Sequence, residues 1–330
     1  MPEIVPWESI RDGFKDGLLL GNGASARVHQ GFAYASLHQT AVQLGHVGPE
    51  VAAVFEKFGT SDFELVLRRL WHAQLVNQAL GIAPGKVEQA YSQVRAALIN
   101  TVRATHVSHA AAKPHLEHIY GFMQHFRTVM SLNYDLIVYW ACMLGNQALG
   151  PWFKDAFNKG VFREDWEEIR KPYGEAKGCT LYFYPHGNLV LARTAEQGER
   201  KIAGGAFEDL LEAVLAKWEE GAAVPVFVCE GTSAHKKTAI QASSYLQRVF
   251  SEVLPKAHES LVIYGWSMGD QDLHVLEQLN RSAVGKIAVS VRNGNKAFIQ
   301  QVQNALGTVG SKAKVFFFDA DSPGCWNNAT

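Results

Sequence analysis

The chain is 330 residues long, 47% hydrophobic and 19% charged, a mixture that disordered and collagen-like chains do not have. Lys and Arg number 31 and Asp and Glu 32, so the net charge of −1 gives the whole molecule no pull toward nucleic acid or an anionic membrane. The length allows two domains, or one large α/β domain with an insertion.

The N-terminal stretch is polar and partly acidic, so no signal peptide is expected. Leu18, Leu19 and Leu20 form an uninterrupted apolar run between Gly17 and Gly21. Such a run predicts a strand buried on both faces of a parallel sheet. Runs at 128–132, 180–184, 224–229, 261–264, 287–291 and 315–318 predict others. Helix-period patterns at 207–218, 240–253, 272–279 and 296–306 alternate with the later strands. The alternation predicts an α/β fold: a doubly wound, Rossmann-like parallel sheet. Residues 38–125 carry helical patterns only (63–80, 86–102, 116–126). They predict an α-helical insertion between the first and second strands, leaving 1–37 and 126–330 to build the sheet domain. Residues 145–178 hold Trp152, Phe153, Phe157, Phe162 and Trp166 among charges, as expected of a cap or substrate-side subdomain. The longest apolar run, 136–144, is far short of the ~20 residues that span a bilayer.

Cys142, Cys179, Cys229 and Cys325 lie far apart and form no C-x-x-C pair. Neither a zinc ribbon nor a disulfide framework is expected, and the compartment is read as a reducing cytosol. Cys179 and Cys229 sit in strand-like settings, as small buried thiols do.

Four motifs carry chemistry. Gly21-Asn22-Gly23-Ala24-Ser25-Ala26 follows the first strand with G-x-G-x-x-A spacing, in which glycines let the backbone approach a pyrophosphate at a helix N-terminus. Its bland counterpart is a generic glycine turn. Positions 41–49 hold no acid for a ribose, unlike an ordinary dehydrogenase. Ser131-Leu132-Asn133-Tyr134-Asp135 ends the second strand, where open α/β sheets bind ligands, or simply makes an Asx turn. His186-Gly187 follows another strand end. Gly265-Trp266-Ser267-Met268-Gly269-Asp270-Gln271-Asp272 offers a glycine turn, a hydroxyl and two carboxylates, or an ordinary helix N-cap. His106, His109, His115, His118 and His125 crowd a helical region and read as solvated helix surface rather than a metal site. Lys236-Lys237 and Arg68-Arg69 read as solvated basic pairs or partner contacts.

The four motifs, in this order, resemble the sirtuin-like NAD-consuming family, with its G-x-G-x-S turn, N-x-D strand end, H-G and later G-x-S. The likeness covers about 10–38 and 126–330 and is nearest to bacterial sirtuin-like proteins of antiphage defence. Phe63-Glu64, and Glu230-Gly231 with Lys237, are less specific features of that group. Deacylase sirtuins carry a zinc ribbon of two C-x-x-C pairs, which this chain lacks. The resemblance therefore implies a cytoplasmic NAD hydrolase that depletes NAD in abortive infection, with NAD as substrate and no metal. It implies His186 as general base and Asn133 as the residue that holds a ribose hydroxyl or orients water. It places Asp135 at the nicotinamide end or ribose, Gly21, Asn22, Gly23, Ala24 and Ser25 on the phosphates, and Gly265 and Ser267 on the adenosine half. It also implies a homo-oligomer or a partner defence protein, an ATPase or an Argonaute-type protein. An NAD-dependent deacylase, an ADP-ribosyltransferase, or a module that senses NAD or ADP-ribose for a partner effector are the alternatives.

Overall fold

Four consecutive residues, Gly17–Leu20, are buried without exception, as a strand covered on both faces requires. A computed structural model of the chain describes residues 2–32, 36–83, 85–194, 198–202, 210–221, 223–228, 230–256 and 259–329. In chain order the elements begin with β1 (Ile4–Val5), β2 (Gly17–Leu20) and α1 (Asn22–Val28). The helices α2 (Leu37–Gln43), α3 (Pro49–Phe58), α4 (Phe63–Ala79), α5 (Gly85–Thr105) and α6 (His109–Met123) come next. Then follow β3 (Thr128–Ser131), α7 (Ile137–Leu149), β4 (Phe153–Lys154), β5 (Phe157–Asn158), β6 (Val161–Phe162), β7 (Thr180–Phe183), β8 (Gly187–Thr194) and β9 (Gly198–Lys201). The remainder is α8 (Leu210–Glu219), β10 (Ala223–Phe227), α9 (Ser233–Gln241), α10 (Ser244–Arg248), β11 (Ser260–Tyr264), α11 (Leu273–Asn280), β12 (Lys286–Val291), α12 (Lys296–Thr308) and β13 (Lys314–Asp319).

Eight strands form one sheet in the order β1-β13-β12-β11-β2-β3-β7-β4. Every pairing in it is parallel. The chain leaves β2 toward β3 and β7, then returns to β11 on the other side of β2 and continues outward to β12 and β13. The crevice between β2 and β11 is therefore the topological switch point, where open α/β sheets receive ligands. Register holds it level: Leu20 is opposite both Tyr264 and Ser131, so the loops after β11, β2 and β3 emerge together. No helix among the described residues is long and apolar enough to cross a membrane.

The run at 224–229 is a strand, but not of this sheet. β10 pairs antiparallel with β8, which also pairs with β9. A short apolar run is buried in either setting, so its composition does not distinguish them. Cys229, at the end of that run, lies outside the described residues, as do 207–209 of the helix expected at 207–218. The segment 145–178 is not a cap: α7 runs into it, β4 extends the sheet edge, and Phe157 and Phe162 pack on Tyr245. The helix expected at 240–253 is divided among α9, α10 and a π-turn at Val249–Val253.

Among the described residues every element between β2 and β3 is a helix, and the last of them packs on the sheet, with the Phe122 ring 6.2 Å from that of Tyr264 in β11. Phe122 of α6 meets Trp7 edge-on, with centroids 5.4 Å apart, and Trp326 at 6.4 Å. α4 starts at Asp62, whose Oδ1 accepts the Glu64 and Leu65 N–H groups at 2.9 and 3.3 Å. Burial, with Glu64 beside it, raises the Asp62 carboxyl to about 7. The unfolded chain ionises this acid near its ordinary value, while the folded chain resists. Stability from this group is thus fully present in acid and is lost as pH rises toward and through 7. Asp62→Asn keeps a good cap without the charge. Urea unfolding at pH 4 and pH 8 should show the variant gaining ~2–4 kcal/mol over the parent at pH 8 and little at pH 4, the loss in the parent running from about pH 4 to about pH 7. Parallel losses in both proteins would mean that Asp62 does not titrate in this range.

Candidate functional site

The loops after β2 and β11 touch backbone to backbone. Gly21 N–H donates to the Tyr264 carbonyl at 3.0 Å, and Gly23 N–H to the Gly265 carbonyl at 2.7 Å. A Cβ on Gly23 would lie 2.7 Å from the Gly265 oxygen, and one on Gly265 would lie 2.3 Å from the Ala24 nitrogen. Gly265 also has φ +68°, which L side chains rarely adopt. These glycines are fixed by the crossing of two loops. The Gly23 amide, engaged with Gly265, is not free to hold a phosphate.

Ser25 and Ala24 likewise depart from the expected phosphate role. Neither faces the crevice: Ala24 is fully buried and its carbonyl accepts the Trp326 indole N–H at 2.9 Å. Ser25 Oγ donates to Asp135 Oδ2 at 2.5 Å and accepts from Asn133 Nδ2 at 2.7 Å. The other Asn133 Nδ2 hydrogen goes to the Gly21 carbonyl at 3.0 Å. A carbonyl can only accept, so this network fixes the amide orientation, and Oδ1 is the atom Asn133 has left for a ligand. Both Asp135 oxygens are used, Oδ2 by Ser25 and Oδ1 by the Ile137 N–H at 2.9 Å at the start of α7. Burial pushes the Asp135 carboxyl up, against the hydrogen bonds from Ser25 and Ile137. Its evident work is to hold Ser25, which holds Asn133. Asn188 ties the segment to β8 by donating to the Asp135 carbonyl at 2.6 Å.

His186 sits in the turn that joins β7 to β8. Gly187, at φ +79°, passes so close to β10 that a Cβ would lie 2.2 Å from the Val226 oxygen. His186 Nε2 and His274 Nε2 are 3.0 Å apart, and the rings stack at 23°. His274 Nδ1 reaches Ser233 Oγ at 3.2 Å. Asp272 occupies the N-cap position of α11 but does not cap it. Its Oδ1 accepts from Lys236 Nζ at 2.8 Å and its Oδ2 from the Trp266 indole at 3.1 Å. Burial pushes the Asp272 carboxyl up, yet it lies below its ordinary value, because the neighbouring His186, the Lys236 ammonium and the hydrogen bonds from Lys236 and Trp266 together outweigh burial. Burial lowers His186 to about 3 and His274 to about 4, so both rings are neutral at pH 7.

These parts line a crevice of about 670 Å³, within the range of small-molecule sites. Gly21, Asn22, Gly23, Asn133, Asp135, His186, Gly265 and Ser267 all face it. Sequence reasoning missed His274; it named Asp272 only within the glycine-turn motif and Glu230 only as a less specific feature of the resemblance, giving neither a role. Lys236, expected on a solvated face, is buried and ion-paired. Glu230 lines the crevice and accepts from Ser36 Oγ at 2.9 Å and Leu37 N–H at 2.5 Å, tying α2 to the site. The histidines at 106–125 are not uniformly solvated either. His106 is buried, with its Nδ1–H on the Val107 carbonyl at 2.8 Å and its Nε2 accepting the Leu136 N–H at 3.0 Å. Arg68 is not a free surface charge, since its side chain lies 3.9 Å from buried Glu64. Among the described residues, donor atoms with metal-like convergence belong to His186, Asp272 and His274, all within 4.8 Å. A cation there would meet the Lys236 ammonium, which already neutralises Asp272.

The fold and the site define a doubly wound α/β protein with a polar crevice at its switch point. Residues 18–326 match the family described as a domain of unknown function, DUF4917, and the chain belongs to that family. No curated protein matches it.

Proposed function

We propose that the crevice hydrolyses NAD at the bond between nicotinamide and ribose. The observation that carries this reading is one cavity at the switch point faced by both a free Asn133 acceptor oxygen and a neutral His186 imidazole. Cleavage of that bond passes through an oxocarbenium-like state, as glycoside cleavage does. The chain's own residues divide the work. Asn133 Oδ1 accepts from a ribose hydroxyl or an attacking water. His186 takes the proton. The Asp272 carboxylate, beside the histidines, offsets positive charge as it develops. The order of the four motifs, similar to that of sirtuin-like NAD-consuming proteins, supports the same reading. It extends to a cytoplasmic role in depleting NAD during antiphage defence, with assembly or a partner protein as the trigger.

Purified protein incubated with NAD should release nicotinamide and ADP-ribose (or its cyclic form) in equal amounts, followed by chromatography. NAD that binds but stays intact, with and without high protein concentration to drive assembly, would favour a sensing module. Nicotinamide release that requires an added acyl-lysine peptide or protein acceptor would favour group transfer. Absence of both binding and release would overturn the assignment.

A further inference from the structure

His274 faces away from the crevice, yet it is almost completely buried and makes its strongest side-chain contact with His186. Two ring nitrogens 3.0 Å apart must share one hydrogen. His186 Nε2 is committed to that contact, so the nitrogen left for a reactant is Nδ1, which has no hydrogen-bond partner among the described residues. For Nδ1 to be a base in the neutral ring, the hydrogen must be on Nε2 of His186. His274 Nε2 is then the acceptor, and His274 carries its own hydrogen on Nδ1, pointing at Ser233 Oγ 3.2 Å away. Ser233 Oγ also accepts the His274 backbone N–H at 2.9 Å, which holds it in place. One tautomeric assignment thus satisfies every contact from the crevice to Ser233, which is half-buried while both histidines are buried.

We infer that His274 and Ser233 form a proton relay behind His186, carrying the proton taken from the reactant out of the crevice toward solvent. The inference rests on the NAD-hydrolase reading for the identity of the reactant. The step balances as follows. An O–H bond of a ribose hydroxyl or water breaks, its electron pair stays on oxygen, and the proton bonds to His186 Nδ1. The His186 Nε2–H bond breaks and that proton bonds to His274 Nε2. His186 ends neutral, and His274 becomes an imidazolium beside the Asp272 carboxylate, with all the donor atoms of the three within 4.8 Å. The C–N bond breaks and its pair leaves with nicotinamide, while C1′ of the ribose bonds to a water oxygen, either the water that gave the proton or one whose proton returns to the ribose oxygen that gave it. The His274 Nδ1 proton then passes to the Ser233 hydroxyl, which releases its own hydrogen outward. The remaining groups around the relay are the Lys236 ammonium, which keeps Asp272 charged, Lys237 and the Phe250 ring, 5.9 Å from His274. His274 is a positioning and relay residue here; it touches no reactant.

Glutamine at this position can hydrogen-bond to both neighbours but cannot carry a proton. His274→Gln should lower kcat for nicotinamide release roughly tenfold to hundredfold, with KM for NAD within about twofold of the parent. The double variant His186→Ala, His274→Gln should be no slower than His186→Ala alone, because the relay has nothing to carry once the base is gone. A purely structural role would instead multiply the two losses. Wild-type kcat in His274→Gln, or multiplied losses in the double variant, would overturn the relay. Nitrogen NMR of histidine-labelled protein tests it independently of turnover. The expected signals are a protonated Nε2 and bare Nδ1 on His186, and the reverse on His274. A His186 ring protonated at Nδ1 would overturn the relay even if NAD is cleaved. If NAD is not cleaved, the substrate reading fails, and the tautomers alone decide the relay.

Discussion

His186→Ala should slow nicotinamide release by ~10²–10⁴-fold, the range for removing a general base, while NAD still binds. The side chain has no structural hydrogen bond other than the one to His274, so the fold does not depend on it in the way it depends on Asn188 or Asp135. The dependence on pH follows from the same burial. An unperturbed histidine base would lose half its activity near pH 6.5. His186 is lowered to about 3 and His274 to about 4 because burial penalises their charged forms. Acid adds the proton that inactivates the base, so lowering the folded pKa moves the acid limb of kcat/KM below pH 5. The rate should be nearly flat between pH 5.5 and 7.5. Rates and circular dichroism measured over this range would separate loss of the base from acid unfolding, since charging two buried histidines also destabilises the native state. A limb at pH 6–7 with the fold intact would place the base elsewhere, as would near-full turnover in His186→Ala.

The sheet was legible because strands buried on both faces need continuous apolar runs, and β2, β3, β7, β11, β12 and β13 each supply one. Elements that do not need such a run escaped. β1 and β4 are two-residue strands at the two edges of the sheet. β8 opens with Gly187 and Asn188, which read as a loop although both are buried in the strand. The start of α6 is obscured by Pro114, which sits inside the helix. The site divided along a similar line. Residues held by backbone geometry, such as Gly21, Gly23, Gly265 and the strand-end Asn133, leave short local patterns. Residues held by partners distant in sequence leave none. Lys236 is 36 positions from Asp272 and His186 is 88 from His274. A buried lysine written beside Lys237 looks like any solvated pair until its carboxylate is in place. Ser25 shows the opposite error: a residue in the right motif whose hydroxyl is spent holding Asn133 and Asp135 rather than a phosphate.

Gly265→Ala should be the most disruptive single-methyl change in the crevice. The added Cβ would lie 2.3 Å from the Ala24 nitrogen and 2.7 Å from the Gly23 carbonyl carbon, both backbone atoms that no rotamer change can move aside. The residue would also have to hold φ +68°. Left-handed backbone costs an ordinary residue ~1–2 kcal/mol, and overpacking in a closely packed region a further ~1–3 kcal/mol. A loss of ~2–5 kcal/mol is expected in urea unfolding, unless the two loops move apart to relieve the contact. Separation would break the 2.7 Å bond from Gly23 N–H to the Gly265 carbonyl. It would also shift Gly21, whose carbonyl holds Asn133 Nδ2, so the acceptor oxygen would lose its orientation. Either response damages the site: the protein unfolds more readily, or it remains stable with weakened NAD binding. Gly269→Ala, in the same loop, is the matched control. Its Cβ would meet only the flexible end of the Gln271 side chain, 2.5 Å away, and Gly269 has an ordinary φ of −71°. Equal stability and equal NAD binding in Gly265→Ala and the parent would show that the two loops do not need their close approach, and with it would go the geometric basis for placing the ligand at the switch point.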